Sequence, residues 1–275
     1  MLPRFGLARR DYDLLKKWDW PDYDELLNLE VSDLPENNIK DKIIRLINNE
    51  PKYHQSLLPL LKFQFLGVGS ITEHYSQAWQ DMFVLTMLDG KRNGTYLEIG
   101  AGDPTDINNT YLLEQFGWSG ISIDIVEDAR WSDIRPNTQY VVADARSIDY
   151  VDLLKDMPKQ IDYLQVDIEP VTGTLEALKK LPHNKYRFSV ITYETDAYLG
   201  DIKTRDESRD FLTSLGYKLI VSDVAVKDNG FKDWVPFEDW YIDPNVVDPA
   251  IYQKIEVHQE LNLPHHIFLG FIPSC

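Results

Sequence analysis

From Thr95 onward the chain alternates short apolar runs with stretches of helical periodicity, and this alternation limits its fold more than any other feature. Strands buried on both faces read as near-continuous apolar segments, and helices between them read as amphipathic ones, the signature of a parallel sheet covered on both sides. Strands are predicted at 95–99, 120–125, 139–143, 161–166, 188–193, 217–224 and 267–272, with helices at 108–116, 128–134, 148–156, 172–181 and 206–215. The expected architecture is therefore α/β and Rossmann-like, a seven-stranded, mostly parallel sheet with helices on both faces.

The preceding region differs. Residues 1–70 are charged and aromatic, broken by Pro21, Pro35, Pro51 and Pro59, and read as a helical accessory region. Ile39, Ile43, Ile44 and Ile47 fall at helical spacing within 36–49, and 53–65 reads as a second apolar helix. A further helix in 75–85 leads into the main domain, 71–275. There the stretch 231–263, with Pro236, Pro244 and Pro249 and the aromatics Phe231, Trp234, Phe237, Trp240 and Tyr241, reads as an insertion before a last strand. Those aromatics suit core packing better than stacking on a sugar.

Charge narrows the partners. With 45 acidic against 28 basic residues the formal charge is -17, which repels phosphate backbones and anionic lipid surfaces, so neither nucleic acid nor membrane is expected as a partner. The single cysteine, Cys275, excludes an internal disulfide and fits a cytoplasmic location. No apolar stretch approaches the ~18 residues of a membrane span. A homodimer is compatible with this reading.

The strand at 95–99 runs into Gly100-Ala101-Gly102-Asp103, a turn that lets the backbone reverse sharply and approach a ligand closely. A dinucleotide turn would want a third glycine to bring a helix N-terminus onto a pyrophosphate; Thr105 stands there instead, and Glu98 ahead of the turn would repel phosphate. Glu98 and Asp103 suit a cationic ligand such as S-adenosylmethionine. About two dozen residues later, Asp124 ends the next strand, where a carboxylate accepts both hydroxyls of an adenosine ribose. Asp144 and Ala145, ending the third strand, are placed for the adenine.

Several motifs, in order, resemble the FkbM-type methyltransferases. They are Tyr75-Ser76-Gln77 with Gln80-Asp81, then Leu97-Glu98-Ile99-Gly100-Ala101-Gly102-Asp103. Asn109-Thr110-Tyr111-Leu112-Leu113-Glu114, Gly117-Trp118-Ser119-Gly120 and Val166-Asp167-Ile168-Glu169 follow. The similarity spans residues 75–198 and more faintly the remainder; the first seventy have no counterpart. It implies a class I methyltransferase fold, S-adenosylmethionine as methyl donor, Gln77 and Asp167 among the cofactor contacts, and transfer to a hydroxyl of a sugar, glycan or other small metabolite. The family continues its D-x-E motif with Gly and a further Glu, whereas Glu169 is followed by Pro170, Val171 and Thr172, so a role for that later acid does not carry over.

For the chemistry, Asp167 and Glu169 follow the fourth strand and Glu194 and Asp196 the fifth, and adjacent parallel strand ends lie side by side. Asp167, Glu169 and Glu194 are the expected catalytic group, as base, as hydroxyl acceptors or as ligands of a divalent cation such as Mg2+. His258, His265 and His266 lack the company of a zinc site. Two alternatives remain open, an NAD-dependent oxidoreductase or epimerase and a non-catalytic scaffold with the same sheet.

Overall fold

A computed structural model of the chain describes residues 61–226, 234–255, 257 and 261–268. The helices expected at 36–49 and over most of 53–65 lie outside these residues, as do Phe231, His258 and Cys275.

The described elements run α1 (Gln80–Met87), β1 (Thr95–Ile99), α2 (Tyr111–Gln115), β2 (Ser119–Asp124), α3 (Arg130–Ile134), β3 (Thr138–Val142), α4 (Tyr150–Leu153) and β4 (Gln160–Val166). They continue with α5 (Val171–Lys180), β5 (Arg187–Glu194), α6 (Ile202–Ser214), β6 (Lys218–Val226), β7 (Val235–Ile242), α7 (Pro249–Tyr252) and α8 (Pro264–Phe268). The seven strands form one sheet in the order β3-β2-β1-β4-β5-β7-β6. β1 to β5 pair in parallel, and β7 runs antiparallel to both β5 and β6. This is a Rossmann-like, doubly wound arrangement with an antiparallel β7.

Period-two alternation along the central strands sends successive side chains to opposite faces. Tyr96, Tyr163, Val190 and Trp240 pack on one face with Trp79, Met82 and Phe83 from α1 and its lead-in turn, Leu112 and Leu113 of α2, and Phe268 of α8. Leu97, Ile99, Ile123, Leu164 and Ile191 pack on the other with Leu175 and Leu178 of α5 and Leu212 of α6.

The seventh strand is not where sequence periodicity put it. It is Val235–Ile242, inside the stretch read as an insertion, while the stretch expected as strand from residue 267 begins within helix α8; residues 269–275 lie outside those described. Pro236 masked the strand. It pairs only with Ala225 of β6, ahead of the register with β5 that starts at Glu194 and Glu238, so no ladder bond to β5 needs its missing N–H. Phe237, Trp240 and Tyr241 are accordingly core residues. Among the described residues no helix is long and apolar enough to cross a membrane.

Candidate active site

The chain leaves β1 for β2 and β3 on one side and then crosses to β4 on the other. Open α/β sheets hold ligands at such a reversal of strand order, outside the carboxyl ends of the strands. A cleft of about 290 Å³ lies there, lined by the residues that follow β1 to β4, among them Gly100, Gly102, Asp124, Ala145 and Asp167. Backbone bonds tie these strand ends together: Gly100 and Ala101 N–H donate to the Ile123 carbonyl, Asp167 N–H to that of Ile99, and Ala143 N–H to that of Asp124.

The two glycines serve different ends. Gly100 has φ +83, and a Cβ there would lie 1.5 Å from the Asp167 carbonyl oxygen, so the close approach of β1 to β4 excludes any side chain. Gly102 has φ +58, and its Cβ position meets no atom within 4 Å. Its bare backbone faces open space, a surface against which a ligand can lie. Asp124 holds that backbone in place, accepting from the Gly102 N–H at 2.8 Å and the Val126 N–H at 2.8 Å. Each of its oxygens keeps a further lone pair for the cleft. Ile125 and Ile168 add apolar wall.

Asp144 also lines the cleft, with Arg146 forked onto it at 2.9 and 2.8 Å, and that hydrogen bonding holds its carboxyl below the ordinary range. Ala145 is buried beside it. Arg146 itself went unread in the sequence, where an arginine two residues past an acid carries no distinguishing pattern.

Glu98, Asp103 and Gln77 are not among the lining residues. Glu98 lies on the α1–α2 face of β1, buried, accepting from Ser122 Oγ at 2.6 Å and Thr110 Oγ1 at 3.0 Å; burial raises its pKa against the pull of Arg135. Asp103 turns into its own loop. Burial opposes its ionisation, but the Asp106 and Thr105 amides and Arg130 bring it down to about 2. Gln77 is half-buried in the turn ahead of α1. That turn is built on Asp81, which accepts from Tyr75 N–H, Ser76 Oγ and Met82 N–H.

Arg135 fastens the loop beyond the glycines. Its buried guanidinium pairs with Glu114 and donates to the Pro104 carbonyl at 3.0 Å, Asn108 Oδ1 at 3.0 Å and Thr110 Oγ1 at 2.8 Å.

The acids after β4 and β5 do converge. Asp167, in the cleft wall, is hydrogen-bonded to Glu194 at the end of β5, and burial raises both, with Glu194 pushed far above the carboxylate range. Asp196, 1% exposed, is raised to about 6 by burial and then by Glu169 and Asp167. A further acid joins from β7: Glu238, 1% exposed, sits opposite Glu194 in the register and is raised by burial to about 8. Glu238 escaped the sequence reading because its strand did; the aromatic, β-branched run 237–242 was the available signal. Among the described residues no three His, Cys, Asp or Glu side chains stand in metal-holding geometry, so Asp167, Glu169 and Glu194 do not fit the Mg2+ site considered for them.

No protein-family model and no curated protein matches the chain. Solved structures match it remotely. An rRNA methylase from Streptococcus thermophilus is 15% identical over 59% of this chain and 94% of its own, with a TM-score of 0.38. A TehB-like SAM-dependent methyltransferase from Corynebacterium glutamicum is 12% identical over 64% and 92%, with a TM-score of 0.36. The METTL16 methyltransferase domain is 14% identical over 70% and 79%, with a TM-score of 0.41. At such distances no residue role or substrate carries over.

Proposed function

We propose that the chain is an S-adenosylmethionine-dependent methyltransferase acting on a hydroxyl of a sugar or other small hydroxylated metabolite. The observation that carries this reading is the cleft at the strand-order reversal, where the open face of Gly102 lies beside Asp124 and leads to Asp167. A bound pyrophosphate is disfavoured, because the helix after the glycines begins only at Tyr111 and acids rather than amide donors continue the cleft. The FkbM-type resemblance favours the hydroxyl acceptor.

The cofactor would supply a methyl group activated on a sulfonium. Asp124, oriented by the Gly102 and Val126 amides, is the acceptor for the ribose hydroxyls, and Asp144 and Ala145 stand at the adenine end. Asp167 is the group to align an acceptor hydroxyl and take its proton. Burial raises its carboxyl above the ordinary range, which makes it a stronger base than a solvated aspartate, and Glu194 donates to it from behind.

Calorimetry tests the reading. S-adenosylhomocysteine should bind with a dissociation constant on the order of micromolar, and Asp124→Ala should weaken it by ~1.5 to 3 kcal/mol through loss of a charged bidentate acceptor. Unchanged affinity in that variant, or tighter binding of NAD, would remove the proposal.

A further inference from the structure

Buried and partly buried acids away from the cleft are answered by cations or by hydrogen-bond donors: Asp239 faces Arg209, Asp243 faces Arg187, Asp162 faces Lys91 and Glu114 faces Arg135, while Asp81 takes backbone amides and Ser76, and Glu98 takes Ser122 and Thr110. The acids at the ends of β4 and β5 meet one another. Asp167 faces Glu194, Glu169 and Asp124; Glu194 faces Asp167, Asp196 and Glu238. Asp196 faces Glu169, Asp167, Glu194 and Tyr198, while Glu238 faces Trp240, Asp167, Thr192 and Gln80. No lysine, arginine or histidine is among these neighbours.

A second observation makes this more than an acidic cluster. Asp196 is 1% exposed, yet its Oδ2 makes no hydrogen bond, and neither does Oε2 of Glu194. A buried carboxylate oxygen without a donor is destabilising by itself and is ordinarily answered by a partner. Asp196 is held in that position by backbone bonds: the Thr195 and Asp196 N–H groups both donate to the Phe237 carbonyl, at 2.6 and 3.0 Å. The cluster is also continuous with the cleft, because Asp167 lines it and bonds Glu194.

We propose that Asp167, Glu194 and Asp196 form a receptor for an organic cation, sulfonium or ammonium, with Asp196 making the cleft selective for a charged ligand over its neutral counterpart. This rests on the cofactor reading above. Glu194 spends its proton on Asp167, whereas Asp196 keeps a buried Oδ2 that no donor answers, which makes Asp196 the carboxylate left to meet a cation. The cation has two possible sources, the sulfonium of the methyl donor or an amine on the acceptor.

Calorimetric titration of the full chain at neutral pH separates them. S-adenosylmethionine and S-adenosylhomocysteine differ by one methyl group and one positive charge. If the donor is the source, the parent should prefer the former about tenfold, and Asp196→Asn should bring the two within about twofold, as expected for loss of one partly screened charge pair. In the other arm the protein saturated with S-adenosylhomocysteine is titrated with ethanolamine and with ethylene glycol, similar in size and different in charge. A preference for ethanolamine that Asp196→Asn abolishes assigns the cation to the acceptor. Asparagine tolerates the positive φ of 44 at this position, and Glu194→Gln serves as a second variant if Asp196→Asn fails to melt like the parent. Equal affinity for charged and neutral ligands in both arms, in the parent, overturns the inference while the cofactor reading stands. Failure of S-adenosylhomocysteine to bind at all overturns that reading as well.

Discussion

At the β6–β7 side of the molecule, Asp239 is wholly buried and takes both Nε and a terminal nitrogen of Arg209, at 2.7 and 2.8 Å. One residue earlier on the same strand, Glu238 is almost as deeply buried and faces Asp167 and Glu194 instead. Adjacent residues on a strand point to opposite faces, so two acids in sequence enter opposite environments. The first is neutralised by a cation and serves stability. The second is held among like charges, protonated, and its deprotonation works against the fold. These buried carboxylates differ by partner: Asp239, with its arginine, holds elements together, whereas the acids grouped around Asp167 without a counter-charge mark the place where chemistry or a ligand has to supply it.

The largest effect should come from the structural set. Arg209→Ala leaves Asp239 buried with only the Asp223 amide and the Tyr241 hydroxyl as donors, and should cost about 3 to 5 kcal/mol of stability in urea unfolding. A cost below ~1 kcal/mol would dissolve the distinction between the two sets.

The like-charged set should behave in the opposite sense. Glu238 rises from 4.5 to about 8 on folding, so its contribution to stability is present below pH 4.5 and is lost as pH climbs through 8. Glu238→Gln keeps an acceptor for Trp240 Nε1 and removes the ionisation. Variant and parent should match near pH 4.5, and the variant should gain roughly 2 to 4 kcal/mol over the parent by pH 8. Unfolding curves that keep a constant separation across that range would show that Glu238 does not stand without a counter-charge.

The smallest free-energy change, and the sharpest division, is expected at Asp167. Asp167→Asn removes a base without removing a ribose contact, so S-adenosylhomocysteine affinity should hold while turnover with an acceptor falls ~100-fold, equivalent to about 2.7 kcal/mol. Turnover at the parent rate would take Asp167 out of the reaction and leave Asp196 as the acid to examine.

Much of the sheet was legible because buried parallel strands are continuous apolar runs. β1 to β6 begin and end within two residues of where periodicity placed them. β7 was hidden because it is antiparallel, carries near its start a proline, Pro236, that only β6 has to accommodate, and lies beyond the crossovers that punctuate the rest. The cleft was legible only in part, since Gln77, Glu98, Asp103 and Glu194 do not line it. Gly100, Gly102, Asp124, Asp144, Ala145, Asp167 and Glu169 stand around one cleft because each follows a strand of the same parallel set.

Local order of residues determined the strand–glycine–acid succession, since a strand end, a positive-φ turn and a carboxylate are properties of a few neighbouring positions. Pairing across the fold decided the rest. Glu98, read as facing the ligand, is answered by Thr110 and Ser122, and Gly100 is required by a carbonyl 67 positions later in the chain, that of Asp167. Glu238 becomes an uncompensated acid only because β7 lies beside β5. Whether a carboxylate meets an arginine or another carboxylate depends on which strands become neighbours. No local pattern carries that information, because the partner lies tens of residues away and is chosen by the packing of the whole sheet.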